Sequence, residues 1–142
     1  MDIFTALRSD HEKQRLLMQA LVETTGESAS RKDFFNDLKT QLSQHSTAEE
    51  RYFYAPLMEV DDTVQVARHA IAEHHEIDEL IEQLEQTEMS SPTWLKTMKD
   101  LKHKVLHHLA EEEKTFFQQA GKHLSSTQKT ELANQYQAEM SN

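Results

Sequence analysis

The sequence predicts an all-α protein, an up-down-up-down four-helix bundle with a short C-terminal fifth helix, and three observations predict it. The chain has 142 residues but only two glycines and two prolines, where ordinary usage would place roughly ten and seven. Sandwiches and barrels need turn residues every 8 to 12 positions or so, and phosphate-cradling loops need clustered glycines. Gly26, Gly121, Pro56 and Pro92 supply neither. Apolar residues also recur with a 3.6-residue period along four long stretches joined by short polar connections. Finally, no apolar run is long enough to cross a bilayer, so these helices are expected to pack on one another.

Each element has its own signals. Asp2 is placed to cap a first helix that runs to about Thr25 and stops at Gly26. Its stripe is Phe4, Leu7, Leu17, Met18 and Leu21. Ser30, with Asp33 three residues on, opens a second helix carrying Phe34, Phe35, Leu38, Leu42, Tyr52 and Phe53. Pro56 is expected to kink or end it. Asp62 with Gln65 starts a third helix through Val66, Ala70, Ile77, Ile81 and Leu84 to about Glu88. Ser91-Pro92 is an N-cap followed by proline in the first turn. The fourth helix then carries Leu95, Met98, Leu101, Val105, Leu109, Phe116 and Phe117 as far as Gly121. Ser125 with Gln128 caps the fifth, at about 125–140, through Leu132 and Tyr136. Residues 2–121 thus read as the bundle and 1–142 as one domain.

Composition narrows the chemistry. The net charge of −10 with histidine neutral disfavours nucleic acid and anionic membrane as partners. The absence of cysteine excludes disulfides, thiolate zinc sites, cysteine nucleophiles and iron–sulfur ligation. No signal-peptide pattern opens the chain, and a cytoplasmic location is expected. Histidine, by contrast, is abundant, with nine residues.

Four of those histidines belong to an internal repeat. The series Phe35-Leu38-Leu42-His45-Glu49-Phe53 recurs as Met98-Leu101-Val105-His108-Glu112-Phe116, an offset of 63 residues that also maps His11 onto His74. Periodicity separates adjacent histidines. His74 shares a face with Ile77, Ile81 and Leu84, whereas His75 shares one with Asp78, Glu82 and Glu85. His108 follows Val105 and Leu101, whereas His107 follows Lys104 and Asp100. The inward polar set is therefore His11, His45, Glu49, His74, His108 and Glu112.

Burying carboxylates is costly unless a cation offsets them. A His-x-x-x-Glu pair presents both groups on one helical face, about 5 to 6 Å apart at Cβ. Two such pairs on neighbouring helices suit a two-metal centre. Nitrogen and oxygen donors without sulfur fit iron or manganese better than zinc. Affinity for a metal is expected to fall as pH drops through the ordinary histidine range, about 6.5. Other patterns fail. Ferritin-like sites need Glu-x-x-His on two helices, and no histidine has Glu three residues before it. The zincin pattern fails after both His11-Glu12 and His75-Glu76. A metal-free alternative is a histidine phosphotransfer-type signalling bundle, which needs one exposed nucleophilic histidine such as His75 or His107. A plain core network of hydrogen-bonded histidines is the other.

The same residues resemble the hemerythrin-like (HHE cation-binding) domain family. The resemblance rests on Asp10-His11, His45-Ser-Thr-Ala-Glu49-Glu50-Arg-Tyr-Phe-Tyr-Ala-Pro56, Glu73-His74-His75-Glu76-Ile77 and His108-Leu-Ala-Glu-Glu112-Glu113-Lys-Thr-Phe-Phe117, and spans residues 1 to about 140. It implies a non-haem, oxo- or hydroxo-bridged di-iron centre between four helices. His11 and His45 would hold one iron, His74 and His108 the other, with Glu49 and Glu112 bridging. Oxygen-carrying hemerythrins add a fifth histidine four residues along the third helix, where this chain has Asp78. The resemblance therefore implies open iron positions for oxygen, nitric oxide or peroxide, or handling of iron. If there is turnover, peroxide decomposition fits, with electrons from a donor that the sequence does not identify.

The remaining polar residues are read more plainly. Glu50 and Glu113 are expected to be solvated acids, with a role beside the metal as the alternative. Arg15 and Asp78, each four residues after an inward histidine, are expected to pair at the rim. His69, His75, His103, His107 and His123 are expected in solvent; the rival is a surface metal face made by His103, His107 and Glu111. Tyr52 and Trp94 are expected to be packing residues.

Overall fold

The structure, a computed structural model, describes residues 1–141 as five long helices with no strand among them. They are α1 (Ile3–Val22), α2 (Ala29–Glu49), α3 (Val64–Gln86), α4 (Pro92–Glu111) and α5 (Ser126–Met140). α2 runs on through a π-helical turn, Glu50–Tyr54, and a last α turn, Ala55–Leu57. α4 does the same through Glu112–Phe116 and Phe117–Gly121. α1 to α4 form the bundle, and α5 packs across α1 and α2.

Most caps are those expected. Asp2 accepts from the Thr5 amide at 2.9 Å, Ser91 from the Trp94 amide at 3.3 Å, and Ser125 and Gln128 form a reciprocal capping box. Gly26, at φ +56°, takes the left-handed conformation in the α1–α2 connection. Two starts differ. α2 is capped by Ser28, which accepts from the Arg31 amide at 3.1 Å, not by Ser30. That start lets the Arg31 guanidinium donate to Thr24 Oγ1, Thr24 O and Met89 O at 2.9, 2.6 and 2.7 Å. α3 begins after Thr63 rather than Asp62, and ends at Gln86. The Thr63 hydroxyl caps nothing because it donates to the Leu57 carbonyl at 2.6 Å.

Pro56 does not break α2. It sits in the last α turn, just after the π turn. The proline is not the cause of that turn, since α4 has the same feature with Gln119 at the equivalent position.

The apolar interior is in two parts. One holds Ile3, Phe4, Leu7, Phe53, Tyr54, Phe117 and Tyr136. The other holds Met18, Leu21, Leu38, Leu42, Trp94 and Leu101. Each bundle helix contributes to both parts, and on each the stripe is interrupted at one level by inward polar residues. That level is the site.

Candidate metal centre

The structure brings all six predicted residues together. His11, Glu49 and Glu112 have no solvent exposure, and His45, His74 and His108 are buried. They form two overlapping four-residue groups of metal-ligand type, one of His11, His45, Glu49 and Glu112, the other of Glu49, His74, His108 and Glu112. Both glutamates belong to both groups. His11 Nε2 is 2.9 Å from Glu112 Oε1, and His74 Nε2 is 3.1 Å from Glu49 Oε1. Within the helices, His45 Nε2 is 3.4 Å from Glu49 Oε2 and His108 Nε2 is 3.5 Å from Glu112 Oε2.

The other ring nitrogen of every histidine is held from outside. His11 Nδ1 is 2.6 Å from Glu113 Oε2, His74 Nδ1 2.7 Å from Glu50 Oε2, and His108 Nδ1 2.8 Å from Glu73 Oε1. His45 Nδ1 is 2.5 Å from the Tyr136 hydroxyl, which in turn donates to Asp10. An ionised carboxylate only accepts, so each Nδ1 carries the proton and each Nε2 faces the centre. Carboxylate-held imidazoles of this kind are oriented and made more basic for a metal. The solvated reading of Glu50 and Glu113 is thereby overturned. Arg15 also differs from expectation: it pairs with Glu113 at 3.1 Å and with Glu12 at 2.5 Å, not with Asp78.

The inward atoms do not satisfy one another. His11 Nε2, His45 Nε2, His108 Nε2, both Glu49 oxygens and Glu112 Oε1 are buried without a hydrogen-bond partner. Several lie close in distance but off the hydrogen-bond direction. Buried polar atoms are almost always paired, so six orphans converging on one point fit a cation there. Tyr54 donates to the remaining oxygen, Glu112 Oε2.

Proton affinity follows from this packing. Burial alone would lower the His11 pKa, but the close approach of Glu112, the hydrogen bond to Glu113 and the nearby carboxylate charges raise it to about 9. Against the same burial penalty, Glu49 and Glu50 raise His74 to about 10. The His11 hydrogen bond, opposed by burial and aided by Arg15, holds Glu113 at about 2. Glu49 is held well below its ordinary range: burial raises it, and His45 and His74 outweigh that. Protons therefore compete with a metal up to about pH 9 to 10, well above the window of about 6.5 expected from the sequence.

Beside His45, His74 and His108 lies a cavity of about 20 Å³, bounded by Leu42, Ile77, Val105 and Leu109 and by Gln14 and Asp78. It has room for about one water-sized molecule.

The sequence reading missed Tyr54, Tyr136, Asp10 and Glu73 as members of this assembly. Asp10 and Glu73 each immediately precede an inward histidine and are related by the 63-residue offset, a signal that was available. The tyrosines gave none: Tyr136 reads as one more aromatic on an apolar stripe, and Tyr54 falls off the stripe of a regular helix. His69, His75, His103, His107 and His123 are all exposed as expected, and His69 in addition lies 2.8 Å from Glu111. The surface group found on α3 and α4 is His69, Glu73 and Glu111, not His103, His107 and Glu111.

Comparison with known proteins agrees with this fold and with a cation-binding family. Residues 2–120 match the family model described as the hemerythrin HHE cation binding domain. The crystal structure of a hemerythrin HHE cation binding domain-containing protein from Mycobacterium kansasii, an Rv2633c homolog, superposes with a TM-score of 0.88 at 21% identity, covering 99% of this chain and 86% of that one. A curated DNA nickase of Nostoc sp. (strain PCC 7120 / SAG 25.82 / UTEX 2576) is 26% identical over 141 residues. That match takes in 97% of this chain but 39% of the nickase, so the chain spans about two fifths of its length.

Proposed function

The chain belongs to the hemerythrin HHE cation-binding family, and on that premise we propose that residues 1–142 form one domain holding a non-haem di-iron centre that reacts with a small oxygen- or nitrogen-containing molecule. His11 and His45 would hold one metal and His74 and His108 the other, with Glu49 and Glu112, which belong to both groups, shared between them. The observation that carries this reading is the set of six buried, partnerless Nε2 and carboxylate atoms converging on one point, behind four imidazoles whose Nδ1 atoms are already engaged.

Iron bound there supplies electrons and open coordination positions for oxygen, nitric oxide or peroxide. The protein does the rest. Glu50, Glu73, Glu113 and the Tyr136–Asp10 pair fix the imidazole tautomers. Leu42, Ile77, Val105 and Leu109 keep the cavity largely apolar and, at about 20 Å³, restrict it to very small molecules. Iron fits better than zinc for a reactive centre, because two nitrogens and two shared carboxylates per metal would close a tetrahedral zinc, whereas iron accepts further ligands beyond those four.

The metal-free phosphotransfer reading has no comparable support, since it leaves the six converging atoms unexplained. The deciding experiment is anaerobic Fe(II) loading, metal analysis, and separate exposure to oxygen, hydrogen peroxide and nitric oxide with absorption spectroscopy. About two irons per chain and a spectral change with at least one of the three are expected. No iron uptake, nor uptake of any other transition metal, would end the proposal.

A further inference from the structure

The 63-residue repeat is broken in one place, and the break leaves a second ligand group in solvent. In the first half, positions 6, 10 and 48 are Ala6, Asp10 and Ala48. Both alanines are buried, and Asp10 is engaged by Tyr136 from α5. The equivalents in the second half are His69, Glu73 and Glu111, on a face without a fifth helix over it. Two small residues where the helix packs, and two metal-ligand types where it does not, are a chemical difference as well as a steric one.

The geometry of this outer group is that of a mononuclear site. His69 Nε2 is 2.8 Å from Glu111 Oε1 and 3.6 Å from Glu73 Oε1. One donor atom from each of the three lies within 4.8 Å of the others. Donors about 2.1 Å from a tetrahedral ion stand roughly 3.4 Å apart, so small side-chain rotations suffice to enclose one. Glu111 Oε1 is a buried atom without a hydrogen-bond partner, although His69 is near, because the two are misaligned. The His69 ring is steadied edge-on by Phe116, at a centroid distance of 5.8 Å. His107 Nε2, 3.7 Å from Glu111 Oε2, is in reach as a fourth donor.

We propose that His69, Glu73 and Glu111 form a separate surface site for one divalent transition-metal cation. One neutral imidazole and two carboxylates match zinc or ferrous iron, with water or His107 completing the shell. Glu73 links this site to the inner one, since the oxygen near His69 also accepts from His108 Nδ1. A cation drawing on Glu73 weakens its hold on His108, so the two sites are coupled through one carboxylate.

The test loads the protein anaerobically with Fe(II), then titrates Zn(II) by calorimetry, with metal analysis after desalting. Wild type is expected to take about one zinc per chain while keeping its iron. His69→Ala and Glu111→Gln, neither of which removes an inner ligand, should weaken that zinc at least tenfold with iron content unchanged. Zinc should also shift the absorption of the iron-loaded protein, and the shift should vanish in His69→Ala. No zinc uptake by iron-loaded wild type, or equal uptake in both variants, overturns the site. If the inner cluster takes no iron, zinc titration of the metal-free chain decides separately: loss of one equivalent on His69→Ala supports the outer site, and no loss overturns it.

Discussion

His11 on α1 and Glu113 beyond the end of α4 meet at 2.6 Å, Nδ1 to Oε2. Shifting both through the repeat gives the second such contact, His74 to Glu50 at 2.7 Å. Each half of the chain thus supplies the carboxylate that orients the other half's imidazole. The third and fourth contacts show where the symmetry relaxes. Glu73 reaches His108 directly, whereas Asp10 is one methylene shorter and reaches His45 only through Tyr136.

Glu113→Gln and Glu50→Gln are therefore expected to act alike. Each replaces an anionic acceptor with a neutral amide and should lower inner-site metal affinity about 10- to 100-fold, with stoichiometry at saturation unchanged. Competition against a chromophoric chelator measures it. A strong effect from one variant only would show that the halves are not functionally equivalent.

Loss of an inward imidazole should be harsher. His45→Ala and His108→Ala are expected to lower the bound metal per chain itself, whereas His75→Ala, at an exposed position next to His74, should bind as wild type. Metal analysis after loading and desalting decides the matter.

The pH dependence has a definite sign. His11 and His74 rise from 6.5 in the unfolded chain to about 9 and about 10 when folded. Their protonation contributes stability that is complete below about pH 6.5 and is lost as pH rises through 9 to 10. Metal-free protein should accordingly melt at progressively lower temperature between pH 7 and 10, and the metal-loaded protein much less so. Metal uptake at pH 7 should release protons, measurable in two buffers of different ionisation enthalpy. Glu113 acts oppositely: held at about 2, it contributes stability above pH 4.5 that disappears as pH falls through 2.

Fold and site can be perturbed independently. The Arg31 guanidinium ties Thr24 to Met89 and lies over Trp94 at 4.8 Å, away from all six inward ligands. Arg31→Ala leaves two carbonyls short of a donor and should cost about 2 to 3 kcal/mol, read from urea unfolding. Metal stoichiometry should not change.

The helices and six inward residues were legible because a 3.6-residue period and a 63-residue repeat are both written in side-chain type. The turns beyond them were not. In α2 the buried positions run Phe35, Leu38, Leu42, His45, Glu49 and then Phe53, Tyr54 and Leu57. In α4 they run Met98, Leu101, Val105, His108, Glu112 and then Phe116, Phe117 and Ala120. Each series slips by one residue after the glutamate. The π turns are the reason: Ala55 donates to Glu50 and Phe117 to Glu112, five residues back instead of four. A constant period therefore puts Tyr52 inside and passes over Tyr54, which is fully buried. The carboxylates that hold the imidazoles read as solvated acids, or went unremarked in the case of Asp10 and Glu73, for a different reason. Each lies one residue from a ligand, on what looks like a wet face, until a neighbouring helix brings an imidazole or a tyrosine within reach of it.

The division of the interior into two apolar parts has a consequence for cooperativity. Between them the four bundle helices meet through charged and imidazole groups, whose mutual attraction depends on protons or a cation at the centre. Occupancy of that layer sets how tightly the two ends of the molecule unfold as one unit. Hydrogen exchange at Leu38 and Leu101 in one part, and at Phe53 and Phe117 in the other, should converge on a common opening free energy when metal is bound and separate when it is removed.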